Sequence, residues 1–150
     1  MTSFRVLALA ATTAAGVIGL AVPVAAQAPQ YRARLSVVPI DIAMQSTIAG
    51  SGSATAALKG STLTIKATFS GLRTPATVAR VHRSPKTAMR GPAIGDLTVT
   101  AATSGTISGA IELTKEHIDD LAAGRIYIQL HSQKAPDGNL WGWLLAAEKK

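Results

Sequence analysis

Two histidines are the side chains of this sequence that are best suited to hold a metal ion. His82 and His131 each lie in a segment of alternating apolar and polar residues, on its polar side. Imidazole is the commonest metal ligand in proteins, so neighbouring strands that bring the two rings together would form part of a copper or zinc site. A tight site needs three or four ligands, and Met89 is a candidate soft third ligand. The alternative is that both histidines are partly exposed and bond only to backbone or water.

A cluster of basic residues is the second candidate site. The stretch from Arg73 to Arg90 contains no acidic residue, and the whole chain carries a net charge of +7. Its members Arg80, Arg83, Lys86 and Arg90 could hold a phosphate, a sulfate, a lipid head group or an acidic protein. Aromatic residues for base stacking are nearly absent from this stretch, which argues against nucleic acid. The alternative is a solvated basic face.

Catalytic patterns find no support in this sequence. Asp119 and Asp120 are adjacent on a predicted helix, so their carboxylates point apart and cannot converge on one substrate atom. There is no Gly-x-Ser-x-Gly nucleophile elbow and no glycine-rich phosphate or dinucleotide loop. The absence of cysteine excludes a thiolate nucleophile, a cysteine zinc site and disulfides. We therefore predict a non-enzymatic protein that requires no cofactor, with copper or zinc binding as the alternative.

The N-terminal segment has the pattern of a secretory signal. Arg5 precedes an almost uniformly apolar run over residues 6–24, and small residues follow it. We predict a signal peptide over residues 1–26, cleaved before Gln27 or, as the alternative, near Ala28, and one mature domain over residues 27–150. An uncleaved membrane anchor is the alternative, because the apolar run approaches spanning length. The expected location is the periplasm or the exterior, with no membrane span after cleavage.

The remaining chain has the short alternating segments and turn signals of an all-β sandwich or barrel. Residues 62–69 show the clearest alternation, with Leu63, Ile65, Ala67 and Phe69 on one face. One short helix is predicted after Thr114, which is a suitable N-cap, and it ends at Gly124. The predicted strands span residues 31–38, 53–58, 62–69, 77–83, 96–100, 104–113, 126–131 and 140–145.

The last two strands are predicted to form a hydrophobic hairpin. Its turn is placed at Pro136-Asp137-Gly138, where proline presets φ and glycine tolerates a positive φ. Trp141 and Trp143 lie two residues apart on the second strand and point the same way. They could form a stacking platform for a sugar or a lipid. We favour packing in the core or at its rim, which is the commoner fate of such a pair.

Four segments of the chain resemble the CHRD domain family, a module named for its occurrence in chordin and common in exported bacterial proteins. They are Leu63–Leu72, Val78–His82, Leu113–His131 and Pro136–Gly142. The resemblance implies a Greek-key β-sandwich, to which the pattern of about eight short strands and one short helix is assigned. This fold is similar in broad form to copper/zinc superoxide dismutase. The style of the leader and the single domain indicate a stand-alone exported bacterial form.

The resemblance also bears on the two histidines. Many members of the family carry a His-x-His pair at the position of Arg80-Val81-His82 and a further histidine at the position of His131. Arg80 replaces the first histidine here, and an arginine cannot be a metal ligand. A dismutase-like enzyme is disfavoured because it needs more imidazoles. Our main hypothesis is an exported binding or interaction module whose basic surface meets an unidentified anionic ligand or protein, and metal binding at His82 and His131 is the alternative.

Overall fold

The computed structural model describes residues 27–86 and 88–148, so the predicted signal peptide over residues 1–26 lies outside the described residues. Within them there are nine strands, one α-helix (α1, Lys115–Ala122) and one short 3-10 helix (Ala43–Ser46). No helix of these two ranges is long and apolar enough to cross a membrane. The strands are β1 Gln30–Val37, β2 Ser51–Lys59, β3 Thr62–Ser70, β4 Ala76–Arg83, β5 Ala93–Val99, β6 Gly105–Glu112, β7 Ile126–Ser132, β8 Ala135–Trp143 and β9 Leu145–Ala146.

The first eight strands close into an antiparallel barrel. Their order is β1-β2-β3-β6-β5-β4-β7-β8, and β8 pairs back onto β1. The all-β prediction and the single α-helix are confirmed, but the predicted Greek-key β-sandwich is not, because a closed barrel takes its place. Strands β1 and β5 each pair on both sides, which removes the free edges that a two-sheet sandwich would keep.

Two short joints close the barrel. At one joint β1 meets β8 through the pairs Ser36–Trp141 and Val37–Leu140, and at the other β5 meets β6 through two pairs. Glycine stands beside the first joint because the backbones approach closely there. A Cβ added at Gly142 would lie 2.4 Å from the carbonyl oxygen of Arg34. Closure of the barrel therefore depends on the absence of a side chain at this position.

The interior is filled by the apolar faces of the alternating strands. In β3 every second residue is buried, as its sequence pattern predicts, and Leu63 and Ile65 are completely inaccessible. Helix α1 packs against β7 and β9 and buries Leu121. The hydroxyl of Thr114 accepts a hydrogen bond from the backbone N–H of His117, which confirms the predicted N-cap.

The β7–β8 hairpin differs from its prediction in the position of the turn. Ser132 pairs with Ala135, so the turn consists of Gln133 and Lys134, and the segment Pro136–Gly138 belongs to β8. Both faces of β7 are largely buried, since Gly91 and the start of β8 lie against its outer face. This covered outer face is where the candidate site residues lie.

A substitution at the first joint tests the closure of the barrel. We expect Gly142→Ala to lower the free energy of unfolding by about 2 kcal/mol or more, because its Cβ would meet backbone atoms that cannot move aside. Gly60→Ala is the matched control: its Cβ would meet no atom within 4 Å, so only the left-handed φ of 62° is penalised, by about 1 kcal/mol. Urea unfolding measures both. Equal losses in the two variants would contradict the role of Gly142.

Candidate functional site

The two candidate histidines share the outer face of neighbouring strands. His82 on β4 lies directly opposite Tyr127 on β7, and His131 follows Tyr127 by four residues, on the same face of β7. Both side chains are half-buried under the surrounding loops. The structure thus places the two imidazoles on one surface, as the sequence pattern indicated.

Backbone carbonyls orient both rings. The Nδ1 atom of His82 lies 2.9 Å from the carbonyl oxygen of Gly91, and the Nδ1 atom of His131 lies 2.7 Å from that of Pro136. A carbonyl only accepts hydrogen bonds, so each Nδ1 carries the proton and the neutral ring keeps its lone pair on Nε2. Both Nε2 atoms are buried, and neither has a hydrogen-bond partner in the part of the chain that the structure describes.

The surroundings of His82 favour its neutral form. Burial lowers the pKa of His82 below its ordinary value, and the hydrogen bond to Gly91 opposes this shift in part. The positive charges of Arg80 and Arg90 lower the pKa of His82 further.

The structure does not complete a metal site around these histidines. Within residues 27–86 and 88–148, no group of three or more His, Cys, Asp or Glu side chains is arranged to hold an ion. Met89, the predicted third ligand, is half exposed, and its recorded hydrogen bonds are those of its backbone, to Lys86 and Ser84. The described residues therefore offer two imidazoles with unused Nε2 lone pairs, without a complete set of metal ligands.

Aromatic rings continue this face across β7 and β8. Tyr127 stacks on His82 with the ring centroids 4.9 Å apart and on Trp143 at 5.0 Å, and Trp141 meets Trp143 edge-on at 4.7 Å. Both tryptophans are half-buried, in agreement with packing at the rim. The guanidinium of Arg90 lies 5.7 Å from the ring centroid of Trp141, within cation–π distance.

The four predicted basic residues do not converge on one point. Arg80 forms an ion pair with Asp96 at 2.9 Å, and Arg83 forms ion pairs with Glu116 and Asp120. Lys86 is exposed on the loop. Only Arg83 and Arg90 border a common depression, so the predicted four-residue anion site is not assembled as such.

A different set of arginines lines that depression. Arg83, Arg90 and Arg125 surround a groove of about 290 Å³, here called the arginine groove, with the buried carboxylate of Asp120 at its wall. Asp120 is 1% exposed and bridges Arg83 and Arg125. Sequence reasoning missed Arg125 and the role of Asp120. The signal for a buried Asp120 is its position next to Leu121, which is buried. The other carboxylates of α1 face solvent.

Several hydrogen bonds fix the position of the loop that borders the arginine groove. The Nη1 atom of Arg90 donates to the carbonyl oxygen of Asp137 at 2.5 Å, and the backbone N–H of Gly91 donates to the Tyr127 hydroxyl at 3.1 Å. The hydroxyl of Ser84 donates to the carbonyl of Met89 at 2.7 Å. These bonds hold Arg90 in place above β8 before any ligand binds.

Removal of the buried charge of Asp120 should destabilise the domain. We expect Asp120→Asn to lower the free energy of unfolding by about 3 kcal/mol, because Arg83 and Arg125 lose the carboxylate that bridges them. The control is Asp119→Asn, at an exposed carboxylate paired only with the exposed Lys115, which should change stability by less than about 0.5 kcal/mol. Denaturant unfolding measures both variants, and similar losses would contradict the bridging role.

Protonation of His82 should destabilise the native state. Because the pKa of His82 is lower in the folded than in the unfolded chain, unfolding takes up protons once the pH falls below the ordinary value of 6.5. We therefore expect the free energy of unfolding to fall as the pH is lowered from about 7.5 to about 5. His82→Gln should lose part of this dependence. Urea unfolding at the two pH values checks it, and an unchanged dependence in the variant would refute the assignment to His82.

Comparison with known proteins places the chain in a family. A search of the curated proteins returned no significant match, and neither did a search of the solved structures. The sequence model of the CHRD domain matches residues 31–144, which span the barrel from β1 to the end of β8 and include both histidines and the arginine groove. A match over this much of the chain shows that the protein belongs to the CHRD domain family.

Proposed function

We propose that this CHRD domain is a non-enzymatic binding module that holds an anionic group of its ligand in the arginine groove. The observation that carries the proposal is that three arginines, Arg83, Arg90 and Arg125, line one depression. Arg90 forms no ion pair with a carboxylate among residues 27–86 and 88–148, so its charge is available to a ligand.

Preorganisation of the arginines supports this role. Asp120 holds Arg83 and Arg125, while the Asp137 carbonyl and the Trp141 ring hold Arg90. A ligand therefore meets side chains that are already ordered, which reduces the entropy lost on binding. Guanidinium groups bind carboxylate, phosphate and sulfate oxygens through charge-assisted hydrogen bonds, often in pairs. The groove suits such an anion better than a neutral ligand.

The place of action forms part of the proposal. The predicted signal peptide over residues 1–26 would direct the domain to the periplasm or to the exterior. Its ligand would then be an anionic molecule or an acidic protein surface outside the cytoplasm. Nucleic acid is not the proposed ligand, because no Trp, Tyr or Phe of residues 27–86 and 88–148 lines the arginine groove to stack on bases.

A titration of the mature domain with inorganic phosphate and sulfate, followed by NMR, tests this function. We expect saturable shifts of the signals from groove residues, with affinity at least about tenfold weaker in Arg90→Gln, because that variant loses the unpaired charge. Arg73→Gln, which removes an exposed charge outside the groove, is the matched control and should bind normally. Shifts scattered over the surface, or equal affinity in Arg90→Gln, would contradict the proposal.

Metal binding at His82 and His131 is a second candidate function, and the orientation of the two rings favours it. Each ring is anchored through Nδ1 to a backbone carbonyl and leaves a buried Nε2 lone pair unused, as in the hydrogen-bonded histidines of metal sites. The positive charge of Arg80 is balanced by Asp96, so it opposes a cation less than an unpaired arginine would. Copper or zinc would gain two nitrogen ligands here and keep positions for external ligands.

Calorimetric titration with copper and with zinc tests this second candidate. We expect one ion per domain, with binding lost in the double variant His82→Ala/His131→Ala because both Nε2 ligands are gone. His117→Ala is the matched control, since that histidine lies in the first turn of α1 and not on β4 or β7. Binding that persists in the double variant, or that His117→Ala abolishes, would exclude the histidine pair as the site.

A further inference from the structure

Hydroxyl side chains cover the outer face of β2, β3 and β6. The strand registers align Ser53, Thr68 and Thr106 in one row across the barrel wall. The next row holds Thr55, Lys66 and Ser108. All of these side chains are exposed, and they are here called the hydroxyl face: Ser53, Thr55, Lys66, Thr68, Thr106 and Ser108.

The hydroxyl face is concave. A depression of about 420 Å³ lies over the three strands, and a second of about 350 Å³ adjoins it toward Arg34 on β1. Both are lined by Ser53 and Thr68, so they form one continuous groove that extends across four neighbouring strands. With strands about 4.8 Å apart, a groove of this width accommodates several units of an extended polymer rather than one small ion.

The charge on this face is positive and uncompensated. None of the eight acidic residues of the chain lines either depression. Arg32 pairs in register with Thr55 and Arg34 with Ser53, so two arginines border the hydroxyl rows on the side away from β6. Within residues 27–86 and 88–148, neither they nor Lys66 form an ion pair. In the arginine groove, by contrast, two of the three arginines are paired with Asp120.

We infer that the hydroxyl face binds an extended anionic polysaccharide. Serine and threonine hydroxyls both donate and accept hydrogen bonds, which matches the hydroxyl groups of sugars. Arg32, Arg34 and Lys66 supply the complementary charge for acidic substituents along the polymer. No Trp or Tyr lines the groove, and Phe69 at its floor is buried, so stacking with nucleic-acid bases is not provided for.

The pairing of the strands excludes a peptide that binds by adding a strand to the sheet. An extended peptide binds a sheet by adding a strand to an open edge. The strands under the hydroxyl face have no such edge, because β2 pairs with β1 and β3, and β6 pairs with β3 and β5. Contact with this face therefore runs through side chains, as suits a polysaccharide. The inference is independent of the anion site proposed above, which lies on other strands.

Binding of dextran sulfate, compared with uncharged dextran of the same length, tests the inference by calorimetry on the mature domain. We expect the sulfated polymer alone to bind, and Arg34→Glu/Lys66→Glu to weaken it at least about tenfold. Arg34→Gln/Lys66→Gln, which removes the charges without reversing them, should show a smaller loss. The matched control is Arg73→Glu/Lys134→Glu, which makes the same change in net charge at exposed positions outside both depressions.

Three outcomes of these titrations would overturn the inference, and a fourth would come from the Arg90→Gln variant. The first is that dextran sulfate does not bind. The second is an equal loss of affinity in the control pair, which would mean that net charge alone attracts the polymer. The third is equally tight binding of poly-glutamate, which would indicate an acidic polypeptide as the partner. A loss caused only by Arg90→Gln would assign the polymer to the arginine groove and would also refute the hydroxyl face. Thermal unfolding of each variant confirms that these exposed substitutions leave the fold intact.

Discussion

Closure of the barrel is the constraint on which the other features depend. Strand β1 pairs with β2 along most of its length and with β8 only at its end, where Gly142 lets the two backbones approach. This joint holds β8 beside β7 and thereby fixes the face that carries the aromatic rings and His131. At the other joint, β5 links β4 to β6. Since every strand of the barrel then has two neighbours, the functional surfaces must lie on its outer wall.

The outer wall carries two surfaces of different physical character. Around β4, β7 and β8 the wall is covered by a loop whose hydrogen bonds order histidine, tyrosine and arginine side chains. Charges there are largely paired and partly buried, which favours specific recognition of a small group. Over β2, β3 and β6 the wall is open, its side chains are short, and its charges are unpaired. Such a surface favours long-range attraction of a larger anionic partner.

The arrangement of Asp120 shows how the buried charge is tolerated. A carboxylate with 1% exposure is costly to desolvate unless opposite charges compensate it. Arg83 and Arg125 provide that compensation from two different strand ends, so the carboxylate also ties α1 to the barrel. The ion pairs with Asp120 also neutralise part of the positive charge around the arginine groove. Arg90 is therefore the more informative residue for ligand binding.

The sequence by itself determined the local features of this protein: the alternating strands, the helix with its Thr114 cap, the absence of cysteine chemistry and the resemblance to the CHRD domain. These depend on neighbours along the chain, because side-chain alternation and capping are short-range effects. Only the tertiary structure decided that the strands close into a barrel, that the hairpin turns at Gln133 and Lys134, and that Asp120 meets Arg125. The physical reason is that pairing partners and buried charges are set by packing between distant segments, which local patterns do not encode.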